Sequence, residues 1–273
     1  MAAGDGIEQQ RLDRELVRRR LARSRSHAQS MISLSGVRVN GQVITRAAHL
    51  VSTTDRLDVT HDHYVSRAAH KLLGALDDLD LDVAGCRALD AGASTGGFTQ
   101  VLLERGCRAV VAVDVGTDQF ATELRSNPRV RVWEQTNLRD LRLEHLDGVP
   151  VDLVVADVSF ISLKMILAQL VSVTRTDGRL LVMIKPQFEV GRTALGKSGV
   201  VRSASLRQQA VDGVAEVAAD LGWPIQAVSP SRLPGPAGSV ELFALLAFEA
   251  VSLWRPSPDD EPPYAVAGER PER

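Results

Sequence analysis

The sequence has almost no lysine: of its 32 basic residues all but Lys71, Lys164, Lys185 and Lys197 are arginine. Arginine cannot lose its proton in a protein, whereas lysine can when its surroundings shift its pKa, so the few lysines are worth locating. Cysteine is nearly as scarce. The two present, Cys86 and Cys107, have neither metal-ligand nor framework spacing, which excludes a disulfide scaffold and gives no metal set. No apolar run approaches the ~20 residues that span a bilayer, and the first ten residues, MAAGDGIEQQ, lack the apolar core of a secretion signal. These absences predict a cytoplasmic protein with no integral membrane association.

What is present is a globular balance, 44% hydrophobic and 24% charged over 273 residues, enough for one large domain and a small one. The net charge of −2 hides an asymmetry. Residues 1–64 hold ten arginines against seven acidic residues, leaving this head at +3 and the remainder at −5. Seven of those arginines lie between Arg11 and Arg25. A basic head on a mildly acidic body fits a polyanion-binding module joined to something else, or a solvated amphipathic helix.

Within the head, RLDRELVRRRLA sets Leu12, Leu16 and Leu21 near one helical face. SHAQSMISLSG predicts a second helix from a cap near Ser26 to Gly36. VRVNGQVIT reads as two short strands around the tight turn Asn40-Gly41, and LDVT as another strand. The predicted divisions are a small basic domain over 8–60, a linker over 61–66, a larger domain over 67–252, and a Pro-rich charged tail over 255–273 expected to be disordered. In the larger part, SRAAHKLLGALDDL reads as a helix capped by Ser66. Apolar strands RALDAG, AVVAVDV, VRVWEQ, VDLVVADV and RLLVMIK then alternate with helical stretches. That alternation is the signature of a Rossmann-like doubly wound α/β sheet. PIQAVSP and VELFALLAFEA add two last strands, the second expected at the sheet edge.

The segment LDAGASTGGFTQVLL, residues 89–103, is a strand–loop–helix turn. Asp90 ends the first strand, Gly92, Gly96 and Gly97 form the loop, and the helix opens near Phe98. Glycine lets backbone approach a ligand closely, and a helix N-terminus offers unpaired N–H donors. Asp114, at the end of the second strand, is placed to hold ribose hydroxyls. Nicotinamide dinucleotides use similar geometry, but the spacing here is D-x-G-x-x-x-G-G rather than G-x-G-x-x-G. A carboxylate before the glycines would repel a pyrophosphate and attract the amino group of a methionine moiety. The turn therefore favours S-adenosylmethionine over NAD.

Several motifs together carry a family resemblance: RLDRELVRRRLARSRSHAQ, YVSRAAHKL, LDAGASTGGFT, DLVVADVSFIS, KPQFEVG, GVV and LPGPAGSVE. From Arg11 to about Phe248 the chain resembles the TlyA family of ribosomal RNA 2′-O-methyltransferases, whose members are also named haemolysins. The head is similar to a small RNA-binding domain found in a ribosomal protein and several pseudouridine synthases, the remainder to FtsJ-type methyltransferases. The resemblance implies a Lys-Asp-Lys-Glu tetrad at Lys71, Asp157, Lys185 and Glu241, and cytidine ribose in 16S and 23S ribosomal RNA as the substrate. One departure is Ala68-Ala69, where such families often carry Gly-Gly; it leaves Lys71 in place.

The chemistry agrees with that assignment. A ribose hydroxyl must be aligned with the sulfonium methyl and its proton taken or stabilised. Lys185 and Asp157 end neighbouring buried strands, at the edge where doubly wound sheets bind ligands. Lys185 is the expected proton-handling residue; Lys71, Asp157 and Glu241 would position it and the hydroxyl. After the fourth strand stands ADVSFIS rather than an N-P-P-Y-like turn suited to an exocyclic amine. Cys86 and Cys107 lie at the wrong edge for base-carbon chemistry. Asp90, Gly92, Ser94 and Gly97 are expected to line the methionine end, Asp114 the ribose, and Asn137 the adenine amine unless it serves a local turn. Phe98 is a further candidate cofactor contact, with a core role as its alternative. Arg11, Arg23 and Arg25 are the expected RNA contacts, on ribosomal RNA within ribosomal subunits, made by a monomer. Two other readings are an assembly factor with a vestigial cofactor site and a membrane-active haemolysin, the latter without an amphipathic or long apolar segment to support it.

Overall fold

A computed structural model of the chain describes residues 9–22, 24–33, 36–59, 63–191, 195, 199–235 and 238–248. Arg23, part of the expected linker and the tail over 255–273 lie outside the described residues. Contacts divide the chain into two units, Met1–Ala69 and His70–Arg273.

In the first unit, β1 (Gln9–Arg11) runs into α1 (Leu12–Arg18), followed by α2 (Arg25–Ser33). The strands β2 (Val37–Val39), β3 (Gln42–Val43), β4 (Leu50–Ser52) and β5 (Leu57–Val59) complete it. Leu12 and Leu16, one helical turn apart, are fully buried against Ala28, Ile32, Val37 and Val51. Each buried leucine contributes about 2 kcal/mol. Asn40 and Gly41 take φ of 51° and 86°, the left-handed pair that lets β2 and β3 close as a tight hairpin. Strand β5 pairs with β2, and β1 pairs with β4. The pairing of β1 has no signal in its polar sequence QQR.

The helix α3 (Ala68–Asp78) begins two residues before the division, and the second unit then alternates: β6 (Arg87–Ala91), α4 (Gly97–Glu104), β7 (Ala109–Val113), α5 (Thr122–Arg125) and β8 (Val130–Trp133). It continues with β9 (Val151–Ala156), α6 (Leu167–Ser172), β10 (Thr174–Ile184), α7 (Pro186–Glu189), α8 (Ala204–Asp220), β11 (Ile225–Pro230) and β12 (Leu242–Ala247). These seven strands form one sheet in the order β11-β12-β10-β9-β6-β7-β8. Six of the seven run in one direction, and β12 runs antiparallel to them, between β10 and β11. The expectation that the last strand lies at the edge is therefore wrong. LFALLA is apolar on both faces and almost wholly buried, as a strand flanked on both sides must be; the half-exposed β11 takes the edge.

Strand order reverses between β6 and β9, and the crevice beyond their carboxyl ends is where such sheets bind ligands. Side-chain alternation sorts the strand residues onto two faces. Leu89, Val154, Val182, Ala244 and their neighbours of the same parity pack with Leu167 and Leu170 of α6 and Val211 and Val214 of α8. The opposite parity includes Asp90, Val155, Met183 and Phe243; there Phe243 meets Phe98 of α4, ring centroids 6.2 Å apart.

Candidate active site

The carboxyl edge of the sheet gathers the four tetrad positions as two ion pairs. Asp157 follows β9 directly and Lys185 follows β10. Lys185 Nζ lies 2.6 Å from Asp157 Oδ1 and donates to Ser159 Oγ at 2.8 Å. Lys71, one turn into α3, donates to Glu241 Oε2 at 2.5 Å. Glu241 immediately precedes β12, and the pairing of Ile184 with Leu242 carried one residue further sets Lys185 opposite Glu241. Alternation gives Asp157, Lys185 and Glu241 the parity of Asp90 and Phe243. The two pairs thus stand side by side on one face.

Burial separates their roles. The side chains of Lys71 and Glu241 are 6% and 0% exposed, against 8% and 14% for Lys185 and Asp157. A paired charge so deep in the protein is costly to desolvate and tolerable only with its partner. Glu241 Oε1 has no hydrogen-bond partner among the described residues, so this carboxylate keeps one free acceptor.

The glycine turn adjoins this cluster. The Asp157 amide donates to the Ala91 carbonyl at 3.0 Å, and the Gly92 amide to Val113 at 2.8 Å. Gly92 has φ of +87°, and a Cβ there would lie 2.6 Å from the Asp157 carbonyl oxygen. Only glycine allows the turn and the loop after β9 to approach so closely. The Asp90 carboxylate is fully buried. Its Oδ2 accepts from the Thr99 amide at 2.9 Å and hydroxyl at 2.7 Å, fixing the start of α4. Burial, opposed by those Thr99 bonds and reinforced by Asp157 and Asp114, pushes its pKa up to about 7. Asp90 Oδ1 is buried with no partner among the described residues, as suits a group that takes an ammonium ligand. Asp114 bridges the two loops: Oδ2 accepts from the Ser94 amide at 2.8 Å and Oδ1 from the Gly116 amide at 2.6 Å. Ser94 is exposed at φ +48°, and Gly97 starts α4.

Two candidate cofactor contacts take other roles. The Phe98 ring is 3% exposed and packs on Phe243, so it is a core side chain, leaving only its backbone at the helix start. Asn137 Oδ1 accepts from the Arg139 amide at 3.0 Å; the local-turn role is the one seen. Cys107 is fully buried, donates to the Val83 carbonyl at 3.2 Å, and has its pKa pushed up to about 12 by burial. It is no thiolate nucleophile.

Phe160 escaped the sequence reading. Three residues beyond Asp157, it is 93% exposed with φ of +66°, a conformation that costs a bulky residue of order 1–3 kcal/mol. Its ring stands 5.5 Å from that of Phe188. An aromatic between two serines in the loop after VVAD was the available signal.

In the first unit Asp13, fully buried, gathers two expected RNA contacts. Arg11 donates to it through Nε and Nη2, both at 3.0 Å, and Arg25 through Nη2 at 3.2 Å. Gln29 adds a bond at 2.9 Å. The Arg11 and Arg25 side chains remain 38% and 52% exposed, fixed at one edge and open at the other. Arg18 and Arg19 converge likewise on Glu15. Arg23 lies outside the described residues.

No helix of the described residues is long and apolar enough to cross a membrane. An FtsJ-like methyltransferase model matches residues 64–248, and an S4 domain model residues 10–57. A 16S/23S rRNA (cytidine-2′-O)-methyltransferase from Mycobacterium tuberculosis is 51% identical over 86% of this chain and 89% of its own. A 23S rRNA (cytidine-2′-O)-methyltransferase from Campylobacter jejuni is 35% identical over 69% of this chain and 72% of its own. A solved structure described as a hemolysin, from Streptococcus thermophilus, aligns with TM-score 0.69 and 33% identity, covering 88% of this chain and 89% of that one. The chain belongs to the TlyA family of ribosomal RNA 2′-O-methyltransferases, an FtsJ-like methyltransferase domain behind an S4 head.

Proposed function

We propose that this chain methylates the ribose 2′-hydroxyl of cytidine in ribosomal RNA, in 16S and 23S RNA within ribosomal subunits, with Lys185 taking the proton. The observation that carries this reading is the Lys185–Asp157–Ser159 arrangement at the mouth of the cofactor turn. Lys185 Nζ is held by its bond to Ser159 Oγ and by the facing Asp157 carboxylate, at the place where the incoming hydroxyl would present its proton. Asp157 also stabilises the ammonium once the proton has moved, as a paired carboxylate should. Lys71 and Glu241, nearly sealed from water, position Lys185 and hold the charge of the cluster near zero.

S-adenosylmethionine, when bound, supplies an electrophilic methyl on a sulfonium. The residues fit it. The unpartnered Asp90 Oδ1 suits the methionine ammonium, Gly92, Ser94 and Gly97 give a close backbone approach, and Asp114 offers its remaining lone pairs to ribose hydroxyls. Phe160 is suited to stack on the target base, since a base face gains about 1–3 kcal/mol on an aromatic side chain. Arg11 and Arg25, held by Asp13, would meet phosphates.

The test is Lys185→Ala. Removal of a general base should lower the methyl-transfer rate by about 10²–10⁴-fold with cofactor affinity retained. Turnover at the wild-type rate would refute the assignment. An assembly factor with a vestigial site would instead bind ribosomal subunits tightly and transfer no methyl in any form.

A further inference from the structure

Between the catalytic cluster and the exposed Phe160, the chain folds a loop, residues 157–163, that is tied at both ends to one short element. At its near end Ser159 Oγ accepts from Lys185 and the Asp157 carboxylate stands in an ion pair with it. At its far end Ser162 Oγ donates to Glu189 Oε2 at 2.5 Å, and the Leu163 amide donates to Glu189 Oε1 at 2.8 Å. Lys185 and Glu189 stand at the two ends of the single helical turn α7: the Phe188 amide donates to the Lys185 carbonyl at 2.8 Å and the Val190 amide to Pro186 at 3.1 Å. Between the ties Phe188 backs Phe160. Glu189 is 8% exposed and its pKa is raised by burial, against the bonds from Ser162 and Leu163 and the charge of Lys164. A buried carboxylate with both oxygens committed to one loop specifies that loop's geometry.

We propose that Glu189 is a positioning residue for methyl transfer, a latch that fixes the 157–163 loop so that Asp157 and Ser159 orient Lys185 while Phe160 projects toward the substrate. The inference rests on the proposed role of Lys185 and Phe160. It assigns Glu189 no contact with substrate or cofactor: it acts through Ser162 and the Leu163 amide. Misplacement of reacting groups by about an ångström costs on the order of 10²-fold in rate.

Three readouts on the full chain test it. Hydrogen exchange at the Leu163 amide should accelerate at least about tenfold in Glu189→Ala, with S-adenosylmethionine affinity within about twofold of wild type. Methyl transfer to ribosomal RNA by the same variant should lose about 10- to 100-fold in kcat. Glu189→Gln should recover at least about a third of wild-type kcat, because its amide oxygen can accept from Leu163 while its NH₂ donates to Ser162. Glu189→Leu, which keeps the bulk and lacks the acceptors, should stay as slow as the Ala variant, whereas a general packing role would let it recover and would overturn the latch. Unchanged exchange at Leu163, wild-type kcat in Glu189→Ala, or a Gln variant as slow as the Ala variant would each overturn the latch. If Glu189→Ala does not melt cooperatively, Ser162→Ala decides: a reduced kcat rescued by Ser162→Thr supports the latch, and wild-type kcat overturns it. A wild-type protein that transfers no methyl, yet shows the Leu163 exchange response, would instead sink the function on which the latch rests.

Discussion

Removing the Glu241 carboxylate should destabilise the methyltransferase domain strongly as well as impair catalysis. In Glu241→Ala the Lys71 ammonium, 6% exposed and 2.5 Å from its partner in the native chain, is left buried without that counter-charge. Breaking one side of a buried pair costs about 3–5 kcal/mol. A domain's whole stability is about 5–15 kcal/mol. At about 2–4 °C of midpoint per kcal/mol for a domain of this size, the melting temperature should fall by about 6–20 °C. The double variant Lys71→Met/Glu241→Leu exchanges the pair for apolar groups of similar volume, and such exchanges are neutral or stabilising by about 1–4 kcal/mol. Urea denaturation of the wild type, both single variants and the double variant yields the coupling directly. The double variant should recover the stability while methyl transfer stays impaired, separating the structural from the catalytic contribution of the pair. A loss below about 1 kcal/mol in both singles, the range of exposed pairs, would refute the buried-pair argument.

Other consequences follow from the same geometry. Gly92→Ala should weaken S-adenosylmethionine binding and lower the melting temperature, since its φ is +87° and a Cβ would meet the Asp157 carbonyl at 2.6 Å; calorimetric titration at wild-type affinity would contradict this. The Asp90 pKa is raised to about 7, so its contribution to stability is complete below the unfolded value near 4 and is lost as pH rises through 7. An ammonium ligand favours the ionised carboxylate, so cofactor affinity should rise from pH 6 to 8 with proton uptake or release visible in buffers of different ionisation heat, and Asp90→Asn should flatten the profile. In the head, bonds from Arg11 hold the Asp13 carboxyl well below the usual range, and bonds from Arg18 bring Glu15 down to about 2. These depressed groups contribute stability above their unfolded values near 4 and lose it as pH falls toward 2, so Asp13→Asn should remove part of the head's acid transition in circular dichroism. Phe160→Ala should raise KM for RNA by about tenfold, the loss of one stacked base, with cofactor affinity unchanged; an unaltered KM would remove Phe160 from the substrate face.

Much of this fold is legible in the sequence because its strands are apolar on both faces and its glycine turn has a distinctive spacing. AVVAV, VDLVVA and RLLVMI could lie nowhere but inside a sheet, and their last residues had to fall at one edge, which is how Asp157 and Lys185 come together. The misplacement of β12 came from reading chain order as spatial order, although LFALLA has the two-faced hydrophobicity of an interior strand. The single turn α7 left no periodic signal: it is four residues long, too short for an amphipathic repeat to register. Glu189 was hidden for that reason, as one charge in KPQFE whose partners lie 26 and 27 residues earlier. Phe98 and Asn137 show the converse, residues in plausible positions whose side chains are committed to the core and to a turn. In the head, counting arginines revealed a basic surface but not that Asp13 and Glu15 sit buried beneath it and set its geometry.

The central claim is that the methyl goes to a ribose oxygen. It is tested most directly by giving labelled S-adenosylmethionine and this protein to unmodified small and large ribosomal subunits, then hydrolysing the RNA in alkali. A 2′-O-methyl removes the hydroxyl that alkaline cleavage requires, so the account predicts label in an alkali-resistant dinucleotide beginning with methylated cytidine, absent with Lys185→Ala. Label in a mononucleotide released by alkali and traced to the base would contradict it.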